Sequence, residues 1–148
     1  MIEKSNGGFL IGKIKQIQGR VFSRLLSEYG IDQFNGAQGR ILFVLWDDDN
    51  KPITELSAKT GLAKTTLTGM LDRLEKTGYV RRVYDPEDRR KINIALTDAA
   101  RGLKDSYNAV STRMSRIFYE GFTQREIIDF EKTLEKVLNN LTRKEHEK

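Results

Sequence analysis

Apolar residues recur every three or four positions toward both ends of the chain and alternate every second position only near its middle. From Phe9 to about Tyr29, Leu10, Ile14, Ile17, Val21 and Leu25 fall on one helical stripe, with Lys13, Lys15, Arg20 and Arg24 elsewhere around it. Gly30 stands where a left-handed residue closes such a helix. The polar run before it, Met1 to Gly8, reads as a loose lead-in. Asn35 can cap a second helix, in which Ile41, Leu42, Val44, Leu45 and Trp46 form a mostly apolar central strut.

The middle of the chain changes period. Thr54 can cap a short helix that turns Leu56 inward and closes at Gly61. The next helix, Lys64 to Lys76, points Leu67, Met70, Leu71 and Leu74 to one side. Gly78 ends it, and Tyr79 to Tyr84 is rich in the aromatic and β-branched residues of a strand. Asp85-Pro86-Glu87-Asp88 predicts a turn with proline at its second position, and Ile92, Ile94 and Leu96 then alternate as a strand with one buried face. Helix, turn, helix, strand, charged turn, strand is the order of a winged helix-turn-helix. Thr97 can cap a helix continuing through Leu103, Tyr107, Val110 and Met114 to Ile117 or Phe118. Gly121 breaks that helix, and Thr123 with Glu126 forms a capping-box signature for a last one. Its stripe is Ile127, Phe130, Leu134, Val137, Leu138 and Leu141. The expected fold is therefore mostly α with a small β wing: a winged helix-turn-helix over residues 35–96, with helical regions at 1–34 and 97–148.

The first and last helices carry more apolar surface than a small winged helix can cover. They are expected to pack on each other and on a second subunit, through Leu10, Ile14, Ile17, Ile127, Phe130, Leu134, Leu138 and Leu141. An intramolecular bundle without dimerisation is the alternative.

Opposite its apolar stripe, the Lys64–Lys76 helix carries Thr65, Thr68, Gly69, Asp72 and Lys76, with Lys64, Thr66 and Arg73 on its flanks. Short polar side chains near a helix N-terminus let the backbone approach a major groove and reach base edges or phosphates. Thr65, Thr66 and Thr68 are the candidates for that contact, with Lys64 on phosphate. Arg90 at the tip of the strand pair can enter a minor groove, where negative potential is focused. Arg89 and Lys91 would anchor on the backbone, and Asp88 would orient Arg90 through a charge-assisted bond. Arg73 either bridges Asp72 or Glu75, or touches phosphate. The net charge is +5, of which residues 64–91 hold +3, so the excess sits partly where phosphates would be met. An ordinary solvated helix face is the plainer account of the same residues.

The run from Leu67 to Gly78, LTGMLDRLEKTG, followed closely by DPEDRRKINIALT, resembles the MarR family of prokaryotic transcriptional regulators. The family's wing pattern of Asp, two residues, Asp, basic, Arg is met by Asp85, Asp88, Arg89 and Arg90, and Asp72-Arg73-Leu74-Glu75 and Leu96-Thr97 match as well. The resemblance implies a dimeric winged-helix regulator whose terminal helices form the interface, and a near-palindromic double-stranded DNA operator. It also implies that small aromatic or phenolic effectors bind and relieve repression. Gly69 stands where the family often has arginine, so no base contact is expected from that position, and Ala63 replaces a better N-cap residue. Phe43, Trp46 and Tyr107, with Phe118, Tyr119 and Phe122, are enough aromatics to line an effector pocket; plain core is the alternative.

Other chemistry finds little support. Cysteine is absent, which excludes disulfides and thiol redox switching. Asp47-Asp48-Asp49-Asn50 lacks the spacing of a calcium loop and reads as a solvated turn. The only histidine, His146, lies in a charged tail without a partner, and no nucleophile, phosphate loop or metal set appears. Neither an enzyme activity nor a cofactor or metal is expected. No run of apolar residues is long enough to span a membrane, and a cytoplasmic location is expected. Two rival classes remain: a winged helix used as a protein-interaction module without specific DNA readout, and a binder of double-stranded RNA.

Overall fold

The computed structural model describes residues 5–31 and 36–147, so the start of the lead-in and the Asn35 cap lie outside the described residues. The chain divides into two units, Met1–Ser111 and Thr112–Lys148.

In the first unit, α1 (Gly7–Glu28) buries only Leu25 and Leu26. Along the rest of the predicted stripe Val21 is half-buried, but Leu10 is 51% exposed and Ile14 and Ile17 are each 43% exposed. The strut α2 (Gly36–Asp47) is the apolar centre, with Ile41, Leu42 and Leu45 fully buried. The short helix α3 (Ile53–Thr60) and the helix α4 (Lys64–Lys76) pack their Leu56, Leu67, Leu71 and Leu74 into the same core. Gly30, Gly61, Gly78 and Gly121 all adopt the left-handed region, at φ +73, +75, +88 and +87, as their helix-closing roles require.

Two expectations about helix ends change. Thr54 does not cap α3: the N-cap is Pro52, extended at φ −67 and ψ 154, and no side chain caps the helix. Proline's fixed φ and missing N–H suit a helix entrance, so the start moves upstream of the threonine. The helix expected to run on from Thr97 is broken into α5 (Asp98–Arg101) and α6 (Lys104–Phe118). Gly102 and Leu103 turn between them, their amides bonded to Asp98 O and Ala100 O. Thr97 still caps, its hydroxyl accepting from the Ala100 amide.

The wing is a three-stranded antiparallel sheet, because β1 (Lys51–Pro52) joins β2 (Val80–Tyr84) and β3 (Ile92–Leu96) in the order β1-β3-β2. Tyr84 faces Ile92 at the open end and Val80 faces Leu96 at the base. As the central strand, β3 loses the expected alternation at its base, where Ile94, Ala95 and Leu96 are all buried.

The second unit holds the end of α6 and, after Gly121, α7 (Gln124–Glu145). Thr123 and Glu126 make the expected capping box, with reciprocal bonds of 3.1 and 3.0 Å. The α7 stripe stays open too: Leu138 is 61% and Leu141 65% exposed, and no residue of the helix is buried. Ile127, Phe130 and Leu134 are half-buried.

Candidate nucleic-acid interface

The inward leucines of α4 fix which side of that helix remains outside. Lys64, Thr65, Thr66, Thr68, Gly69, Asp72, Arg73 and Lys76 are all exposed. The Thr68 hydroxyl donates to Lys64 O at 2.9 Å, one turn back, which fixes its rotamer and leaves the oxygen outward as an acceptor. No side chain caps the α4 N-terminus, where Ala63 stands, so its first amides keep their capacity to donate to an anion.

Across from this face stands the wing tip. Its hydrogen-bonded turn lies three residues later than predicted: the chain bends at Pro86 and Glu87, and the Lys91 amide closes the turn on Asp88 O. Arg89 and Arg90 thus take the two central positions and project outward. Asp88 accepts from the Arg90 amide at 3.0 Å and from its Nε at 3.1 Å, while the Arg90 side chain is 90% exposed. These bonds hold the Asp88 carboxyl below its ordinary pKa, the Arg90 side chain contributing most. The expected Asp88–Arg90 bond is therefore present. An open groove of about 1010 Å³ separates the two elements, with Lys64, Thr65 and Thr68 on one wall and Arg90, Lys91 and Tyr84 on the other.

Arg73 does not bridge its helical neighbours; among the described residues it has no ion-pair partner. Asp72 and Glu75 are instead taken by Arg82 from β2, at 2.7 and 2.6 Å. Burial opposes charge on this guanidinium, but the two carboxylates outweigh it and raise its pKa. Sequence reasoning passed over Arg82. The alternation Val80, Arg82, Tyr84 along β2, set against acids three residues apart on α4, was the available signal.

The acidic turn after α2 is more than solvated surface. Asp49 accepts the Leu96 amide at 2.9 Å and an Arg101 N–H at 3.3 Å. Among the described residues, no cluster of acids and histidine could hold a metal ion.

The aromatic side chains fall into two groups rather than one. In the first unit Tyr107 meets Trp46, Phe22 and Phe43, with ring centroids 5.1, 5.7 and 6.4 Å apart. The Trp46 indole N–H donates to Ala100 O, and Tyr107 packs directly over Gly39. Burial pushes the Tyr107 hydroxyl up to about 12. Only Phe43 of the three predicted pocket residues is well exposed. In the second unit Phe118, Tyr119 and Phe122 gather around Phe130, and the Tyr119 hydroxyl donates to Glu131 at 2.6 Å. No helix among the described residues is long and apolar enough to cross a membrane.

Comparison with known proteins gives a consistent picture. The model of the MarR family matches residues 34–92. The chain is 38% identical over 86 residues to the HTH-type transcriptional regulator TtmR of Methylorubrum extorquens (strain PA1), an overlap covering 58% of this chain and 43% of TtmR. It is 35% identical over 122 residues to the uncharacterized HTH-type transcriptional regulator YsmB of Bacillus subtilis (strain 168), covering 81% of this chain and 80% of YsmB. The crystal structure of a mutant MarR from E. coli, complexed with operator DNA, superposes with a TM-score of 0.79 at 27% identity, covering 88% of this chain and 92% of that one.

Proposed function

The chain belongs to the MarR family, whose members are transcriptional regulators and not enzymes, and from that premise we propose that it binds a near-palindromic duplex operator as a homodimer and represses transcription. The observation that carries the proposal is the open threonine face of α4, set across a groove from Arg90 and Lys91. A helix entering a major groove and an arginine entering the adjacent minor groove straddle one sugar-phosphate strand. Thr65, Thr66 and Thr68 then take base edges and phosphates, while Lys64, Arg73, Arg89 and Lys91 neutralise the backbone.

Dimerisation is supported by the α1 and α7 stripes, each of which leaves large apolar side chains in water. A two-fold pair sets its recognition helices roughly 34 Å apart, one turn of B-DNA. Repression is the simplest consequence of occupying promoter DNA on both grooves. A small aromatic effector would enter at Phe43, the exposed edge of the Trp46–Tyr107 group.

Titrating duplex affinity against salt tests the proposal. Each phosphate neutralised contributes about −0.9 to the log-log slope, so several contacts give a steep one. A flat slope, or equal competition by duplex RNA, whose deep major groove excludes a helix, would favour the interaction-module or RNA-binding alternatives instead.

A further inference from the structure

Asp72 stands on the same open side of α4 as the threonines. A carboxylate on a face that approaches phosphate works against binding unless its charge is answered. The answer comes from the wing. Arg82 donates Nη2 to Asp72 at 2.7 Å, Nη1 to Glu75 at 2.6 Å, and its own backbone amide to the second Glu75 oxygen at 3.2 Å. Its side chain is only 15% exposed, whereas Asp72 and Glu75 are 64% and 42% exposed.

We propose that Arg82 is a positioning residue for DNA binding: it fixes the wing relative to the recognition helix and offsets part of the charge of the helix's two carboxylates. The inference rests on the DNA-binding reading above. A planar guanidinium spans two carboxylates at once, which the point charge of a lysine does not do in the same geometry. Beyond Arg82 the wing holds itself, through Asp85 N–H to Lys91 O and through Asp88 to Arg90. The direction in which Arg90 leaves the body of the protein is therefore set where β2 is tied to α4. Without that tie, Arg90 and the threonine face can each still meet DNA, but not in a fixed relation.

A double-mutant cycle in the full chain reads this directly, using a duplex selected by the wild-type protein and binding measured by fluorescence anisotropy. Arg82→Gln should weaken binding, and Arg90→Ala should cost about tenfold less in the Arg82→Gln background than in the wild type, a coupling within the range shown by residues of one network. Thr65→Ala should cost the same in both backgrounds, which a general loss of structure would not produce. Adding Asp72→Asn and Glu75→Gln to Arg82→Gln should restore part of the affinity without restoring the Arg90 coupling. If Arg82→Gln fails to fold, Arg82→Lys serves in its place, with the same selective loss expected at smaller size. Additive costs for Arg82 and Arg90, with the wild type binding normally, overturn the inference alone. A wild-type chain that binds no duplex overturns the DNA-binding reading beneath it as well.

Discussion

The Asp49 carboxylate accepts the Leu96 amide across the base of the sheet at 2.9 Å. Lys51 pairs with Ile94 in β1, so Asp49 lies opposite Leu96 when that antiparallel register is extended by two residues. The strand stops short, and a side chain supplies the acceptor that a backbone carbonyl would have given. The same carboxylate accepts from Arg101, joining the end of the wing's central strand to α5. Asp49→Ala strands a buried donor and should cost about 1–3 kcal/mol of stability in denaturant unfolding. Asp49→Asn keeps an acceptor and should cost less.

Two glycine-to-alanine exchanges should have opposite signs. At Gly39 an added Cβ would lie 2.6 Å from the Tyr107 ring, which is buried and unable to swing away. Overpacking of this kind costs about 1–3 kcal/mol. At Gly69, inside α4, an added Cβ meets nothing within 4 Å, and alanine should stabilise the helix by about 0.8–1 kcal/mol. Thermal unfolding of the two variants separates them.

Acid should loosen two local brackets. Glu126 is held below its ordinary pKa by hydrogen bonds from Thr123, backbone first, and Asp88 by those from Arg90. A carboxyl lowered in the folded state contributes stability that is present above its unfolded pKa, about 4, and is lost as pH falls through the lower folded value. The start of α7 and the wing turn should therefore hold at pH 5 and above, and release below about pH 4. Amide exchange at Thr123 and Arg90, followed against pH, checks this; protection unchanged down to full protonation would contradict it.

Arg90→Ala should cost the fold little beyond its exposed bond to Asp88, since 90% of that side chain is in solvent, and should weaken duplex binding by about 1–3 kcal/mol if it contacts bases. Calorimetry and anisotropy on the same preparation make the comparison. Unchanged affinity would remove the wing tip from the mechanism.

What the sequence disclosed, and what it withheld, follows from the range of the interactions involved. The bounds of α4 were legible because Leu67, Leu71 and Leu74 repeat at the helical period and Gly78 stops them. The capping box at Thr123 was legible because both partners lie within one turn. By contrast, β1 is two residues long and contains Pro52, so it has no period to read. The roles of Asp49 and Arg82 depend on partners reached only by folding, such as Leu96 for the first and Asp72 for the second. The break at Gly102 and Leu103 was hidden because the apolar spacing from Ala100 through Leu103 to Tyr107 and Val110 continues across it. In the candidate interface, the threonines and wing cations were visible as residue types. Their arrangement on facing walls of one groove was not.

The most direct test of the central claim is selection of bound sequences from a random duplex pool by the full chain. The account predicts a near-palindromic consensus with half-sites about one helical turn apart, and a fall in enrichment when Thr65 and Thr66 are both replaced by alanine. Recovery of no consensus, or of one indifferent to those threonines, would contradict it.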